Sequence, residues 1–186
     1  LINDLSKEYK IYIVVGGGKT ARRYIKLGRS IGLSEKELDE IGIKATRLNA
    51  EFLTKILKNS NKIIPAITDD AKKIKNKVIV MGGTNPGHST DMVGAKLAYK
   101  VNATKYIIAT NVDGIYDKDP NKYKNAKKFD EIEIKDLIDK YGTGWKSAGK
   151  NIVIDGPALD LIYKSKIKTY VLNGNNLSEI KKVIYG

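Results

Sequence analysis

Cysteine is absent from this chain of 186 residues, and histidine and tryptophan occur once each. Without thiols there is neither a disulfide framework nor a thiolate metal site. The lone histidine, His88, lies in a glycine-rich turn and is not assigned as an acid or base. Long apolar runs are missing too: none approaches a membrane span, and no charged-then-apolar leader opens the chain. A cytoplasmic protein without a membrane partner is the expectation. Acidic residues are the scarcer charge, 21 against 34 Lys and Arg, for a net charge of +13. The densest lysine runs are "KKIKNK" at 72–77 and "NKYKNAKK" at 121–128, where Tyr123 is the one aromatic. With no stacking set between the charges, these read as solvated faces rather than a nucleic-acid surface.

What is present is a hydrophobic fraction of 41%, enough for one domain over 1–186 with a sizeable core. Short Ile- and Val-rich runs bounded by Gly, Asn or Pro predict strands at Ile11–Val15, Lys62–Ile67, Val78–Met81, Lys105–Ala109 and Thr169–Leu172. Helical periods lie between them. "SEKELDEIGIKATRLNAEFLTKIL" opens with Ser34 and Glu37 in capping-box spacing and keeps Leu38, Ile41, Ala45, Leu48, Phe52 and Ile56 near one face. "DGPALDLIYKS" and "NLSEIKKVI" supply the last helices. Alternating β and α predicts an α/β fold, a three-layer αβα sandwich with a mainly parallel central sheet. An α/β domain ordinarily opens on a strand, whereas "LINDLSKEYK" reads as the end of an amphipathic helix. The first strand is therefore expected to be missing. Residues 110–153, polar and turn-rich, read as an excursion that covers a ligand.

Ligands of open parallel sheets bind beyond the carboxyl ends of the strands. Three loops leave such ends here: "VVGGGKTARRY", "VMGGTNPGHSTD" and "IATNVDGIYDKDP". None is a P-loop: the first would need glycine at Ile13, and in the second His88 stands where the lysine belongs. "GGGKTA" satisfies G-x-G-x-x-A, but the acid that should follow falls at a helix start. What survives is an anion site. Gly16–Gly18 precede a helix whose free N–H groups, with Lys19, Arg22 and Arg23, favour phosphate. Asp91, at the next helix start, is either a simple cap or a charge that needs a lysine or magnesium beside it. In the third loop Asp119 or Asn111 is placed to hydrogen-bond a base; Asp113–Gly114 equally suits a hairpin turn.

Together "VVGGGKTARRY", "IGIKATRLNA", "MGGTNPGHSTD", "TNVDGIYDKDP" and "NIVIDGPALDLI" resemble, in order and spacing, the amino-acid-kinase superfamily and within it the archaeal-type UMP kinases. That resemblance covers essentially the whole chain. It implies transfer of a phosphoryl group from ATP to UMP with Mg2+, in pyrimidine nucleotide biosynthesis. Gly17, Asp39 and the run Thr84, Asn85, Pro86, Gly87, His88, Ser89 and Thr90 would hold UMP. Gly18, Arg22, Thr110, Asn111, Tyr116 and Asp119 would line the ATP site. Asp91, the catalytic candidate, resembles the acidic residue that positions a phosphate-binding lysine, and no residue is implied as a metal ligand. The glycines of 82–87 are expected to let the backbone approach the nucleotide. Members of the family start with a strand, a glycine loop and a lysine that would precede Leu1. They assemble as homo-oligomers, hexamers built as trimers of dimers, for which the long helix near 34–58 offers an interface. The alternatives are a sibling small-molecule kinase resembling isopentenyl phosphate kinase, and a non-catalytic nucleotide-binding protein. The helix "KTARRYIKLGRS" lacks the histidine expected of the former.

Overall fold

Valine, isoleucine and methionine with no polar residue between them fill strand β2, Val78–Met81, and all four are fully buried. Such a strand must be covered on both faces. Val78 and Val80 pack with Ala50, Leu53 and Leu57, whereas Ile79 and Met81 pack with Ala71, Val93 and Leu97. The sheet is thus the middle of three layers. The computed structural model describes residues 1–144 and 154–186. Burying each of these side chains contributes about 1.5–3 kcal/mol before entropy is set against it.

Strand β1, Ile11–Val14, pairs in parallel with β2, with Ile11 opposite Val78 and Val14 opposite Met81. Strands β3, Tyr106–Thr110, and β4, Thr169–Asn173, form a second parallel pair. The fold is parallel α/β as expected, but the described strands make two pairs rather than one continuous sheet. Helix α5, Thr90–Lys100, joins them. Its Val93 and Leu97 belong to the core over β1 and β2, and its Ala95 to the core over β3 with Ile108, Leu137, Ala158, Leu159 and Ile162.

The opening helix is one turn, α1 at Ile2–Leu5, anchored by buried Leu5. Helix α2, Gly18–Ser30, and helix α3, Glu35–Ile56, form a hairpin. The Ser34 capping box is present: Ser34 Oγ accepts from Glu37 N–H, and Glu37 Oε2 accepts from Ser34 N–H at 2.8 Å. Helices α6, Ile134–Tyr141, α7, Gly156–Ser165, and α8, Leu177–Tyr185, complete the second half.

Several details differ from the expectation. Lys62–Ile67 is not a strand. The buried Asn61 side chain takes the strand's place beside Val80, donating to its carbonyl at 2.9 Å and accepting from its N–H at 2.6 Å. Pro65 also has no N–H to offer a ladder. Next, α4 at Thr68–Lys73 has a single apolar side chain, Ala71, too few for a readable period. Last, the predicted apolar face of α3 is only half covered: Leu38 and Ala45 are buried, but Leu48, Phe52 and Ile56 are 61, 68 and 58% exposed. Helix α2 has 13 residues and α3 has 22. At about 1.5 Å per residue, α3 outruns its partner by more than 10 Å. The excursion at 110–144 contains a broad hairpin rather than a tight turn at Asp113–Gly114: Tyr116 bridges Lys128, and Phe129 N–H donates to Ile115 O at 2.9 Å. Its last part, 145–153, lies outside the described residues.

Candidate functional site

Because β1 and β2 are parallel neighbours, the loops after them leave side by side. Val15 N–H still donates to Met81 O at 2.8 Å. Beyond it Gly16–Gly18 turn into α2, and Gly82–Ser89 turn into α5. A side chain on Gly16 would touch Thr90 at 3.8 Å, so the first loop and the start of α5 adjoin. Gly17 is the N-cap of α2, and Gly18 adopts a left-handed φ of 58°. Arg22, one turn further, is exposed. The first loop thus brings Gly17, Gly18 and Arg22 together at a helix N-terminus, where N–H groups lack partners within the helix.

The second loop is held by α3 through its backbone. Gly83 N–H donates to Thr46 Oγ1 at 2.7 Å, and Gly83 O accepts from Arg47 Nε at 3.1 Å. Arg47 Nη2 also donates to Thr84 O at 3.3 Å and Ala66 O at 3.2 Å. Four residues on, Gly87 N–H donates to Asp39 Oδ2 at 2.7 Å. Asn49 Nδ2 reaches the first loop, donating to Gly16 O at 2.9 Å. Between these anchors Thr84, Asn85, Pro86, Gly87 and His88 form a turn in which His88 N–H donates to Asn85 O at 3.2 Å. Gly87 sits at φ 79°, where a side chain would be strained.

The first two glycines have a reason besides the expected one. A Cβ on Gly82 would lie 2.7 Å from Thr46 Oγ1 and 2.8 Å from Arg47 N; one on Gly83 would lie 3.2 Å from Thr46 Oγ1. They are small because helix α3 presses on the loop.

Ser89 caps α5: its hydroxyl accepts from Met92 N–H at 2.9 Å and donates to Asp155, the N-cap of α7. Asp155 Oδ1 accepts from Ala158 N–H at 3.0 Å, so one hydroxyl–carboxylate contact ties two helix starts together. Asp91 lies in the first turn of α5. Burial, reinforced by the Asp155 charge, raises its carboxyl to about 7. Tyr106 passes under Gly94, where a Cβ would meet its hydroxyl at 2.5 Å, and donates to Asp91 O at 2.9 Å. Burial, then the Asp91 and Asp155 charges, raises the Tyr106 hydroxyl further from ionisation. The capping side chain of α5 is Ser89, and Asp91 is a half-buried carboxyl whose ionisation is opposed by burial and by the Asp155 charge.

In the second half, Thr110 ends β3, and its carbonyl accepts from Gly174 N–H at 2.8 Å. Asn111 follows, its side chain accepting from Thr110 Oγ1 at 3.3 Å. Asp113 accepts from Asn173 Nδ2 at 2.8 Å, fastening the loop to the end of β4. Tyr116 stands in the hairpin bridge, and Asp119 closes its own turn by accepting from Asn121 N–H at 2.9 Å. Among the described residues no group of three or more His, Asp or Glu forms a metal-ligand cluster. Thr46, Arg47, Asn49 and Asp155 were not singled out from the sequence. The signal of the first three was polar side chains inside helix α3, and that of Asp155 was an acid directly before the Gly-Pro start of α7.

Residues 1–173 match the amino acid kinase family. The uridylate kinase of Methanocaldococcus jannaschii is 49% identical over 169 residues, 89% of this chain and 75% of that protein. The uridylate kinase of Thermoplasma volcanium is 45% identical over 183 residues, 97% of this chain and 80% of its own length. The crystal structure of uridylate kinase from Archaeoglobus fulgidus matches with a TM-score of 0.89 at 41% identity, covering 100% of this chain and 85% of that one. UMP kinase from Bacillus anthracis, 23% identical with a TM-score of 0.80, shares the fold.

Proposed function

The chain belongs to the amino acid kinase family, and from that premise we propose that it is a UMP kinase, transferring the γ-phosphoryl group of ATP to UMP in pyrimidine nucleotide biosynthesis. One observation carries the reading: the likeness to proteins named uridylate kinase runs through both glycine loops and almost the whole chain. In this reading a phosphate oxygen of UMP attacks the γ-phosphorus, the bond from that phosphorus to the bridging oxygen breaks, and ADP leaves. The attacking phosphate is already anionic, so no protein nucleophile or strong base is needed. Catalysis is then positioning and charge neutralisation.

Gly17, Asp39 and residues 84–90 are assigned to UMP. The support is the braced turn and the start of α5 beside it. Gly18, Arg22, Thr110, Asn111, Tyr116 and Asp119 are assigned to ATP, supported by the helix start at Gly18 and the polar loop after β3. Asp91 is assigned as the catalytic-site carboxylate that positions a phosphate-binding cation. Its support is the raised carboxyl, since an ionised group there calls for positive charge. Magnesium would arrive on ATP, with the nucleotide phosphates as its main ligands. Bound there it would offset charge on the β- and γ-phosphates. No residue of this chain is assigned as its ligand.

The reading includes a cytoplasmic enzyme that takes UMP and ATP, not nucleic acid or membrane, and assembles as a homohexamer, a trimer of dimers. No described helix is long and apolar enough to cross a membrane. The uncovered apolar half of α3 supports self-association. The test is calorimetric titration of UMP, CMP and isopentenyl phosphate, with a coupled ADP-release assay, on the parent chain and Asp39→Ala. Selective UMP binding weakened by the substitution is expected. Absence of UMP binding by the folded chain would overturn the assignment.

A further inference from the structure

We propose that Arg47 is a positioning residue for the acceptor phosphate, acting through the loop rather than by touching UMP. This rests on the reading of residues 84–90 as the acceptor site. Both polar groups of Gly83 are held by consecutive residues of α3, the N–H by Thr46 and the carbonyl by Arg47. The same guanidinium takes the next carbonyl, Thr84, and reaches across to Ala66. At the other end of the turn, Asp39 holds Gly87 N–H. Asp39 and Thr46 are seven residues apart, close to two helical turns, so they share a face of α3. One rigid helix therefore fixes both ends of the turn. Arg47 is the member of the set that no shorter side chain replaces, because its planar fork meets three carbonyls at once.

A second observation separates this role from a plain brace. The hydrogen-bond partners of Arg47 among the described residues are all carbonyl oxygens, and no described carboxylate forms an ion pair with it. A partly buried positive charge thus stands behind the acceptor turn with no carboxylate counter-ion among the described residues. Carbonyls solvate it but leave its net charge in place, and that charge favours a phosphate dianion on the other side of the loop. The residue both orders the turn and biases it toward an anionic acceptor. The hydrogen bonds of Arg47 go to Gly83, Thr84 and Ala66 and to no described residue of the loop after β3.

The experiment compares the parent chain with Arg47→Gln and Arg47→Lys by UMP titration, steady-state kinetics in both substrates, and thermal melting. For Arg47→Gln, the expected result is a Kd and KM for UMP raised about tenfold or more, with the KM for ATP and kcat held within about threefold. Arg47→Lys restores the charge but not the fork, and should recover only part of the UMP affinity. Hydrogen exchange at the Gly83–Gly87 amides should speed up in both variants without nucleotide. Unchanged UMP affinity in folded Arg47→Gln would overturn the proposal. So would equal losses for UMP and ATP, or failure of both variants to fold, each of which makes Arg47 a general scaffold residue. If the parent chain itself binds no UMP, the acceptor reading and the proposal fall together, which distinguishes the two failures.

Discussion

Asp91 has an ordinary carboxyl value of 3.8 and is raised to about 7 by burial and by Asp155. The raised value means that the folded state prefers the protonated form. Stability linked to this group is fully present below the unfolded value near 4 and declines as pH rises toward 7. Above pH 7 the ionised, buried carboxylate opposes folding by up to about 4 kcal/mol. Asp91→Asn removes that charge, so it is expected to melt at a higher temperature than the parent at pH 8. The gap should narrow by pH 5 and close below about pH 4, while activity is lost. Melting curves across that range check it; a variant less stable than the parent at pH 8 would contradict the assignment of a costly buried charge. Gly82 makes the opposite kind of prediction. A methyl there meets the Thr46 and Arg47 backbone under 3.0 Å, so Gly82→Ala should destabilise by about 1–3 kcal/mol and weaken UMP binding. Urea unfolding and UMP titration measure the two effects. The need for glycine at 82 was legible, but its cause was not: a helix pressing on the loop depends on contacts 36 residues away, which local sequence does not encode.

Helix α3 shows which parts of an element are local. The Ser34–Glu37 box lies within four consecutive residues and was read directly. Ser34→Ala should therefore lower stability by about 1 kcal/mol and leave UMP and ATP affinities unchanged, as urea unfolding beside nucleotide titration would report. A clear change in KM for either substrate would mean that the α2–α3 hairpin is coupled to the site. The strands β1, β2, β3 and β4 were likewise legible from short apolar runs between Gly and Asn. Lys62–Ile67 failed because a run of Ile around Pro65 looks like a strand, while the edge of β2 is met by a single backbone bridge at Ser60 and, at Val80, by the Asn61 side chain. Side-chain mimicry of a ladder has no periodic signature. The brace from Asp39, Thr46, Arg47 and Asn49 escaped for the same reason, although Asp39 was identified through the family resemblance.

For the whole molecule, the question is what covers the second half of α3. Leu48, Phe52 and Ile56 project beyond the end of α2, and Ile63, in the loop after α3, is 83% exposed. Large apolar side chains scattered singly on a surface are ordinary, but several on one helix beside an uncovered loop are what the proposed self-association would bury. The chain's net charge of +13 opposes association through space, so a face that binds another copy must do so by apolar burial. An aspartate at the centre of that face would be desolvated without a partner, at a cost of several kcal/mol for each copy. If the proposed homo-oligomer forms, Phe52→Asp is expected to reduce the native mass, measured by light scattering, from a multiple of 20.6 kDa toward that of the single chain. Because Phe52 is exposed and outside the buried core, the variant should keep its fold and its cooperative melting. Arg47, five residues earlier on the same helix, would then report whether assembly matters to the site. If the separated chains keep the parent's UMP affinity, the brace is complete within one copy. A parent chain that is monomeric at micromolar concentration would instead remove the assembly from the proposed function, leaving the site assignments untouched.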